Sequence, residues 1–108
     1  MDGLAILRLV GDLNMQEVED LKVRILEILQ DVSITQVLLD CRKIERMDSS
    51  GIGLFIQLDV GHKKRIAFRL FGLRDSIKQL FKLTRLSNFI QIDETEEEGL
   101  AAFRKTSV

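Results

Sequence analysis

The stretch that decides the fold is QVLLDCRKIERMDSSGIGLFIQLDV, residues 36–60. It opens with a short apolar run, Gln36–Asp40, that predicts a buried strand. After Asp48 and Ser49 the pattern becomes helical, and the predicted helix runs to Val60. The polar turn DSSG therefore lies between a strand and a helix, at the carboxyl end of the strand, where α/β proteins place their binding sites.

Strands and helices alternate along the rest of the chain as well. Apolar runs predict three further strands, at Leu4–Val10 (closed by Gly11), Arg65–Gly72 and Phe89–Ile92. Helical spacing predicts further helices opened by Asn14 with Glu17, by Arg74 or Asp75, and by Thr95 with Glu98. We therefore predict one α/β domain over residues 1–108, with about four helices around a sheet of about four mostly parallel strands. A mixed sheet stays open as an alternative.

Composition narrows the function classes. The 108 residues are 45% hydrophobic and 31% charged with a net charge of −1, which is typical of a globular domain without a bias toward nucleic acid or anionic membranes. No apolar run approaches the roughly 20 residues of a membrane span, and Met1–Gly3 lack the pattern of a secretory signal. We expect a cytoplasmic protein with no nucleic-acid or membrane partner. The single Cys41 gives no reason to expect a disulfide or a metal site.

The DSSG turn contains more polar and flexible residues than a helix start needs. Asp48 or Ser49 alone would serve as the N-cap, because one side-chain oxygen accepts hydrogen bonds from the free amides of the first turn. Gly51 and Gly53 follow within the predicted helix, where each glycine costs about 1 kcal/mol relative to alanine. Glycines allow another molecule to approach closely, and free amides at a helix N-terminus favour an anion such as phosphate.

Two routes could bring a phosphate to this turn: a bound nucleotide or a phosphorylated hydroxyl. The turn lacks the lysine and the glycine spacing of a nucleotide-binding loop. A nucleophilic serine is also disfavoured, because His62 is far along the chain and Met47 replaces the first glycine of a G-x-S-x-G elbow. We therefore predict that the chain is not an enzyme and that an external kinase modifies a hydroxyl here.

These residues resemble a known family. MDSSGIG after the VLLD strand, GDLN after the first strand, and the ending FGLRDSIKQLFKLTRLSNFIQIDETEEEGLAAF resemble a STAS domain of the bacterial anti-sigma factor antagonist type, over nearly the whole chain. The resemblance implies that the unphosphorylated chain binds an anti-sigma factor that is also a serine kinase, and so releases the sigma factor. It further implies that phosphorylation of Ser49 abolishes this binding and that a serine phosphatase restores it. ATP and magnesium would belong to the kinase, so no cofactor is expected in this chain.

The resemblance also implies which residues contact the partner. They are the turn residues Asp48, Ser49, Ser50, Gly51 and Gly53, together with Asp12 and Asn14 of GDLN. Leu54 and Leu58, four residues apart on the same helix, are a further candidate contact strip, with packing beneath a neighbouring element as the alternative.

Two departures from the family pattern bear on assembly and contacts. The motif GDLN replaces the commoner G-E-[IL]-D. Family members usually have another strand before the one that precedes this motif, whereas here only Met1–Gly3 come before it. An open sheet edge would leave the oligomeric state undecided. The main alternative function is accordingly a STAS scaffold, or a self-associating subunit of a signalling assembly, that does not switch; a small hydrolase using Ser49 is a more distant one.

Two charged segments have simpler interpretations. Basic residues recur on one face of the third predicted helix, which predicts a solvated face or a contact for an acidic partner: Arg74, Lys78, Lys82 and Arg85. The acidic residues of 93–98 are interpreted as charge at the start of the last helix, without a metal site.

Overall fold

The computed structural model describes residues 3–85 and 90–106. Its elements alternate as β1 (Leu4–Leu13), α1 (Met15–Ile28), β2 (Gln36–Met47), α2 (Ser49–His62), β3 (Ala67–Phe71), α3 (Asp75–Leu83), β4 (Gln91–Asp93) and α4 (Glu96–Thr106). The strands form one sheet in the order β1-β2-β3-β4, and every neighbouring pair is parallel. The predicted α/β fold is confirmed, and the sheet is parallel throughout the described residues.

The first two strands are longer than the sequence predicted. Pairing between β1 and β2 continues past Gly11 and past Asp40, up to the pair Leu13 and Met47. Gly11 adopts a φ of +95°, so it alters the backbone within β1 without ending it. The predicted strand ends at Gly11 and Asp40 were wrong, because pairing with a neighbouring strand outweighs a local stop signal.

The other predicted boundaries shift by a few residues. Strand β3 is shorter at both ends than Arg65–Gly72, and helix α2 continues beyond Val60 to His62. The predicted start of the last strand, Phe89, lies outside the described residues.

The sheet has a core on each face. Successive side chains of a strand point to opposite faces, so Val37 and Leu39 pack in one core and Leu38 packs in the other. The larger core receives buried residues from α1, α2 and α3, including Ile25, Phe55 and Phe81; the smaller core joins Leu38 and Phe71 to Phe103 of α4. Three helices thus hold one face of the sheet, and α4 covers part of the other.

Asp40 is a buried acid that the sequence prediction missed. Its residue is 5% exposed, and its carboxylate accepts hydrogen bonds from Arg42 at 2.8 and 3.0 Å and from Arg8 at 2.9 Å. The bonds from Arg42, followed by those from Arg8, hold the pKa of Asp40 far below its usual range against the opposing effect of burial. Arg8 also donates to Glu96 at 2.7 Å, so this network ties α4 to β1 and β2.

The acidic segment before α4 acts as more than a cap. The Thr95 hydroxyl does accept from the Glu98 amide at 3.1 Å, as a capping residue should. However, Asp93 binds Arg69 at 2.7 Å and Glu94 binds Lys78 at 2.6 Å. Lys78 is therefore an ion-pair partner of the β4–α4 connection, and the fully solvated basic face predicted for α3 is wrong at this position.

Candidate functional site

The site begins where β2 passes directly into α2. Asp48 is in an extended conformation, and its carboxylate accepts from the amides of Ser50 at 2.8 Å and Gly51 at 3.4 Å. Asp48 is therefore the N-cap of α2, one of the two candidates predicted for that position. Ser49 is the first helical residue, so its hydroxyl is not needed to cap the helix.

The Ser49 side chain is accessible. Its residue is exposed, whereas Ser50 beside it is half-buried. Within the described part of the chain, the Ser49 hydroxyl has no hydrogen-bond partner. Another macromolecule can therefore reach this oxygen without first breaking an internal contact.

The first turn of α2 differs electrostatically from those of the other described helices. The first turn of α1 contains Glu17, that of α3 contains Asp75, and that of α4 contains three glutamates. The first turn of α2 contains no acidic residue. The negative charge at this helix start is instead the N-cap itself, because the Asp48 carboxylate accepts from two of the free amides that favour an anion.

The start of α1 lies next to the start of α2. Asn14 accepts from the amides of Gln16 at 3.0 Å and Glu17 at 3.1 Å, which confirms the predicted cap. The two helix starts are joined because the Asp48 amide donates to the Leu13 carbonyl at 3.2 Å. The structure thus places two capped helix N-termini side by side at one end of neighbouring strands.

A hollow of about 290 Å³ collects most of the polar residues at this end. Asp12, Asn14 and Asp48 line it together, so the two GDLN residues and the acid of the turn belong to one surface. Arg46 lines the same hollow and was not among the predicted contacts. Arg46 could have been included among the predicted contacts because it lies only two residues before Asp48, and it is exposed there.

Leu54 and Leu58 do not form a contact strip. Leu54 is 2% exposed and Leu58 is 3% exposed, and both belong to the larger core. The alternative interpretation, packing beneath neighbouring elements, is confirmed, and the exposed strip is wrong. Because α2 is apolar on nearly all sides, its periodicity does not reveal which side the neighbouring elements cover.

The two glycines of α2 serve different purposes. A Cβ atom at Gly51 would lie 2.6 Å from Cγ of Met47 and 3.1 Å from the Leu13 carbonyl oxygen, so this buried glycine lets α2 approach the strands. The expectation that Gly51 makes room for a partner is therefore wrong. A Cβ atom at Gly53 would meet nothing within 4 Å, so the surface above Gly53 is open.

The exposed side of α2 carries a different row of residues. Ser49, Gly53, Gln57 and Val60 recur every three or four positions and are exposed or half-exposed, with Val60 at 64%. This row, which we call the outer stripe of α2, starts at the free hydroxyl. The sequence prediction chose the wrong apolar residues of the helix and missed Val60.

Other classes of site find little support in the described residues. No group of three potential ligands for a metal ion occurs within residues 3–85 and 90–106. Cys41 is buried, and burial raises the pKa of its thiol strongly, which disfavours the reactive thiolate. None of the helices described is both long and apolar enough to cross a membrane.

Comparisons with known proteins agree with this architecture. Solved structures with the same fold include an anti-sigma factor antagonist from Mycobacterium paratuberculosis, with a TM-score of 0.86 at 19% identity, covering 96% of this chain and 88% of that one. They also include the phosphorylated form of the Bacillus cell fate determinant SpoIIAA, with a TM-score of 0.66 at 21% identity, covering 95% and 93% of the two chains.

Sequence comparison identifies relatives and a family. The anti-sigma-B factor antagonists of Listeria monocytogenes and Listeria innocua are each 34% identical over 74 residues, which is 68% of this chain and 65% of theirs. The matched region thus spans slightly less than two thirds of those relatives. The family model of the STAS domain matches residues 1–99. By this match and by its fold, the chain belongs to the STAS domain family.

Proposed function

We propose that this chain is a phosphorylation-controlled antagonist of an anti-sigma factor. In its unphosphorylated form it binds an anti-sigma factor that is also a serine kinase, and the sigma factor is released. The kinase transfers the terminal phosphoryl group of ATP to the Ser49 oxygen, which loses its proton, and ADP leaves. A serine phosphatase hydrolyses the phosphoserine and restores the binding form.

One observation carries this proposal: the Ser49 hydroxyl is exposed and unbonded at the first position of a helix whose first turn contains no acid. A kinase can reach such a hydroxyl, and the helix amides can stabilise the phosphate afterwards. The similarity to the Listeria antagonists and to the Bacillus cell fate determinant SpoIIAA, solved in its phosphorylated form, supports the same assignment.

The partner surface proposed here centres on Ser49. It comprises Asp48, Ser49 and Ser50, the hollow lined by Asp12 and Asn14, and the outer stripe of α2 from Gly53 to Val60. The half-exposed Gly53 gives the partner close access to the helix backbone. The chain acts by binding, in the cytoplasm, and requires no catalysis or cofactor of its own.

The effect of phosphorylation follows from electrostatics at this surface. A phosphoserine adds about 1.5 to 2 negative charges beside Asp48, and a docked partner would have to desolvate them. An unpaired charge buried at an interface costs about 2 to 5 kcal/mol, which weakens binding roughly 30-fold or more. In the free protein the amides of α2 offset part of the repulsion, so the phosphorylated chain should stay folded.

The test is capture of partners from an extract of the cells that produce the protein. We expect the wild type and Ser49→Ala to retain a kinase-type anti-sigma factor and Ser49→Asp to lose it. Ser76→Asp is the matched control, because it places the same charge in the exposed first turn of α3 and should retain the partner.

Phosphorylation is tested by incubating the chain with the captured kinase and ATP. Mass spectrometry should locate one added phosphoryl group on Ser49, and the modified chain should no longer bind. Either a lack of modification or full binding after modification would leave the non-switching STAS scaffold as the better function.

A further inference from the structure

The two edges of the sheet differ in how they are protected. Strand β4 forms one edge with only three residues, whereas β1 forms the other with ten. Within the described residues no strand pairs with the outer side of β1. Natural edge strands are usually short, bulged or interrupted by lysine and proline, and β1 contains neither residue. Its pairing with β2 is irregular between Arg8 and Val10 and between Gly11 and Leu13, but in both places the extra residue lies in β2. Strand β1 is therefore the edge open to a further strand.

The backbone groups that β1 offers can be identified from its intrachain bonds. The Gly3 carbonyl accepts from Thr35 and Gln36 at 2.8 and 3.0 Å, and the Leu13 carbonyl accepts from Asp48 at 3.2 Å, so both point toward β2 and its flanking residues. Successive residues of a strand direct their backbone groups to alternate sides. The even-numbered residues consequently point their N–H and C=O groups outward: Leu4, Ile6, Arg8, Val10 and Asp12.

The side chains at the end of this edge form a self-complementary row. Arg8, Val10 and Asp12 are exposed, and Val10 is 72% exposed, while Leu9 and Leu13 between and beyond them are buried. From Arg8 to Asp12 this row therefore presents a cation, an apolar residue and an anion. Both described bonds of Arg8 use Nη1, so Nη2 and Nε make no described bond and can donate to another carboxylate.

We propose that a second copy of this chain pairs with the outer edge of β1 in antiparallel orientation, about a two-fold axis at Val10. In this register Arg8 lies opposite the partner's Asp12, and Val10 lies opposite the partner's Val10. All three facing pairs are outward-pointing residues, so each exchanges two backbone hydrogen bonds. The two sheets become one continuous sheet across a symmetric interface.

Electrostatic interactions favour this register over the one with the two-fold axis at Arg8. Moving the axis to Arg8 would set two arginines directly opposite each other, and like charges in that position destabilise a strand pair. With the axis at Val10, opposite charges meet on both sides and the exposed apolar side chains are covered at the centre. This self-association goes beyond the proposed switch and does not depend on it.

The test is the mass of the folded chain in solution, measured by sedimentation velocity over a range of concentrations. We expect the wild type to reach twice the mass of one chain at the higher concentrations. Val10→Lys should remain at the mass of one chain, because it places two cations together on the axis. Val32→Lys is the matched control, since Val32 is 80% exposed in the connection between α1 and β2 and is not among the facing residues Arg8, Val10 and Asp12, so it should associate as the wild type does.

A second variant tests the backbone pairing itself. Val10→Pro removes an outward N–H that makes no bond to β2, so the fold should persist by circular dichroism while association is lost. A wild type that stays at the mass of one chain at every concentration would overturn the proposal. Association that persists in a folded Val10→Lys or Val10→Pro variant would overturn it as well, because another surface would then be responsible.

Discussion

The starts of α1 and α2 are built alike and differ in chemistry. Each follows a long strand, and each begins with an Asx residue whose side chain accepts from two backbone amides. They are neighbours, because Leu13 pairs with Met47. Counting the N-cap as the first position, however, the fourth position is the exposed Glu17 in α1 and the buried Gly51 in α2.

This difference separates a structural helix start from a candidate regulatory one. In α1 the favourable field of the free amides already acts on a glutamate. In α2 the acid is the N-cap Asp48 and the first turn carries hydroxyls and glycine, so a charge added at Ser49 would be a second negative charge at that surface. The same capping geometry therefore supports different functions, depending on what the rest of the first turn contains.

The sharpest test of the comparison is alanine at the fourth position of each arrangement. Gly51→Ala should lower the free energy of unfolding by about 1 to 3 kcal/mol, because the added methyl group meets Met47 and the immobile Leu13 carbonyl. Glu17→Ala should lower it less, by about 0.3 to 1 kcal/mol, because it removes only the attraction between one exposed carboxylate and the helix amides. Urea unfolding measures both, and equal midpoints would contradict the close packing at Gly51.

The caps themselves should be energetically equivalent. Asp48→Ala and Asn14→Ala each remove an acceptor of two amides, and each should cost about 1 kcal/mol of stability. The thermal midpoints of the two variants should therefore fall by similar amounts. A loss confined to one variant would show that the two starts are not structural equivalents.

Gly53 tests whether the outer stripe of α2 is open. Gly53→Ala should raise stability by about 0.5 to 1 kcal/mol, because alanine favours the helix and the added methyl group meets nothing within 4 Å. Its effect is opposite in sign to that of Gly51→Ala in the same unfolding experiment. A destabilised variant would indicate that the space above Gly53 is occupied.

The smallest effect concerns charge at the first helical position. Ser49→Asp should change the stability of the free chain by less than about 0.5 kcal/mol at low salt, because attraction to the helix amides and repulsion from the adjacent Asp48 act in opposite directions. Met15→Asp, the matching change in α1, should have a similarly small effect, because each helix start already holds one carboxylate, Glu17 in α1 and Asp48 in α2. Unfolding at two salt concentrations measures both effects, and a loss of more than about 1 kcal/mol in Ser49→Asp would mean that its binding defect reflects misfolding.

Most of the local features of the site could be predicted from the sequence. The N-caps Asn14 and Asp48 and the capping pair Thr95 and Glu98 were recognisable because capping depends on residues within one turn of each other. The position of DSSG after a strand was likewise visible in the change from an apolar run to a helical pattern. The surroundings of Asp40 were not visible, since its partner Arg8 comes from a distant part of the chain.

The sequence by itself determined the alternation of strands and helices, a mostly parallel sheet and the polar turn at Ser49, because patterning and capping act over short distances. Only the tertiary structure decided where β1 and β2 end, which side of α2 faces the core, and that Gly51 serves packing while Gly53 stays open. It also brought Asp12 and Asn14 to Asp48. These features depend on contacts between segments remote in the chain, and an apolar pattern such as that of α2 does not specify which neighbour covers it.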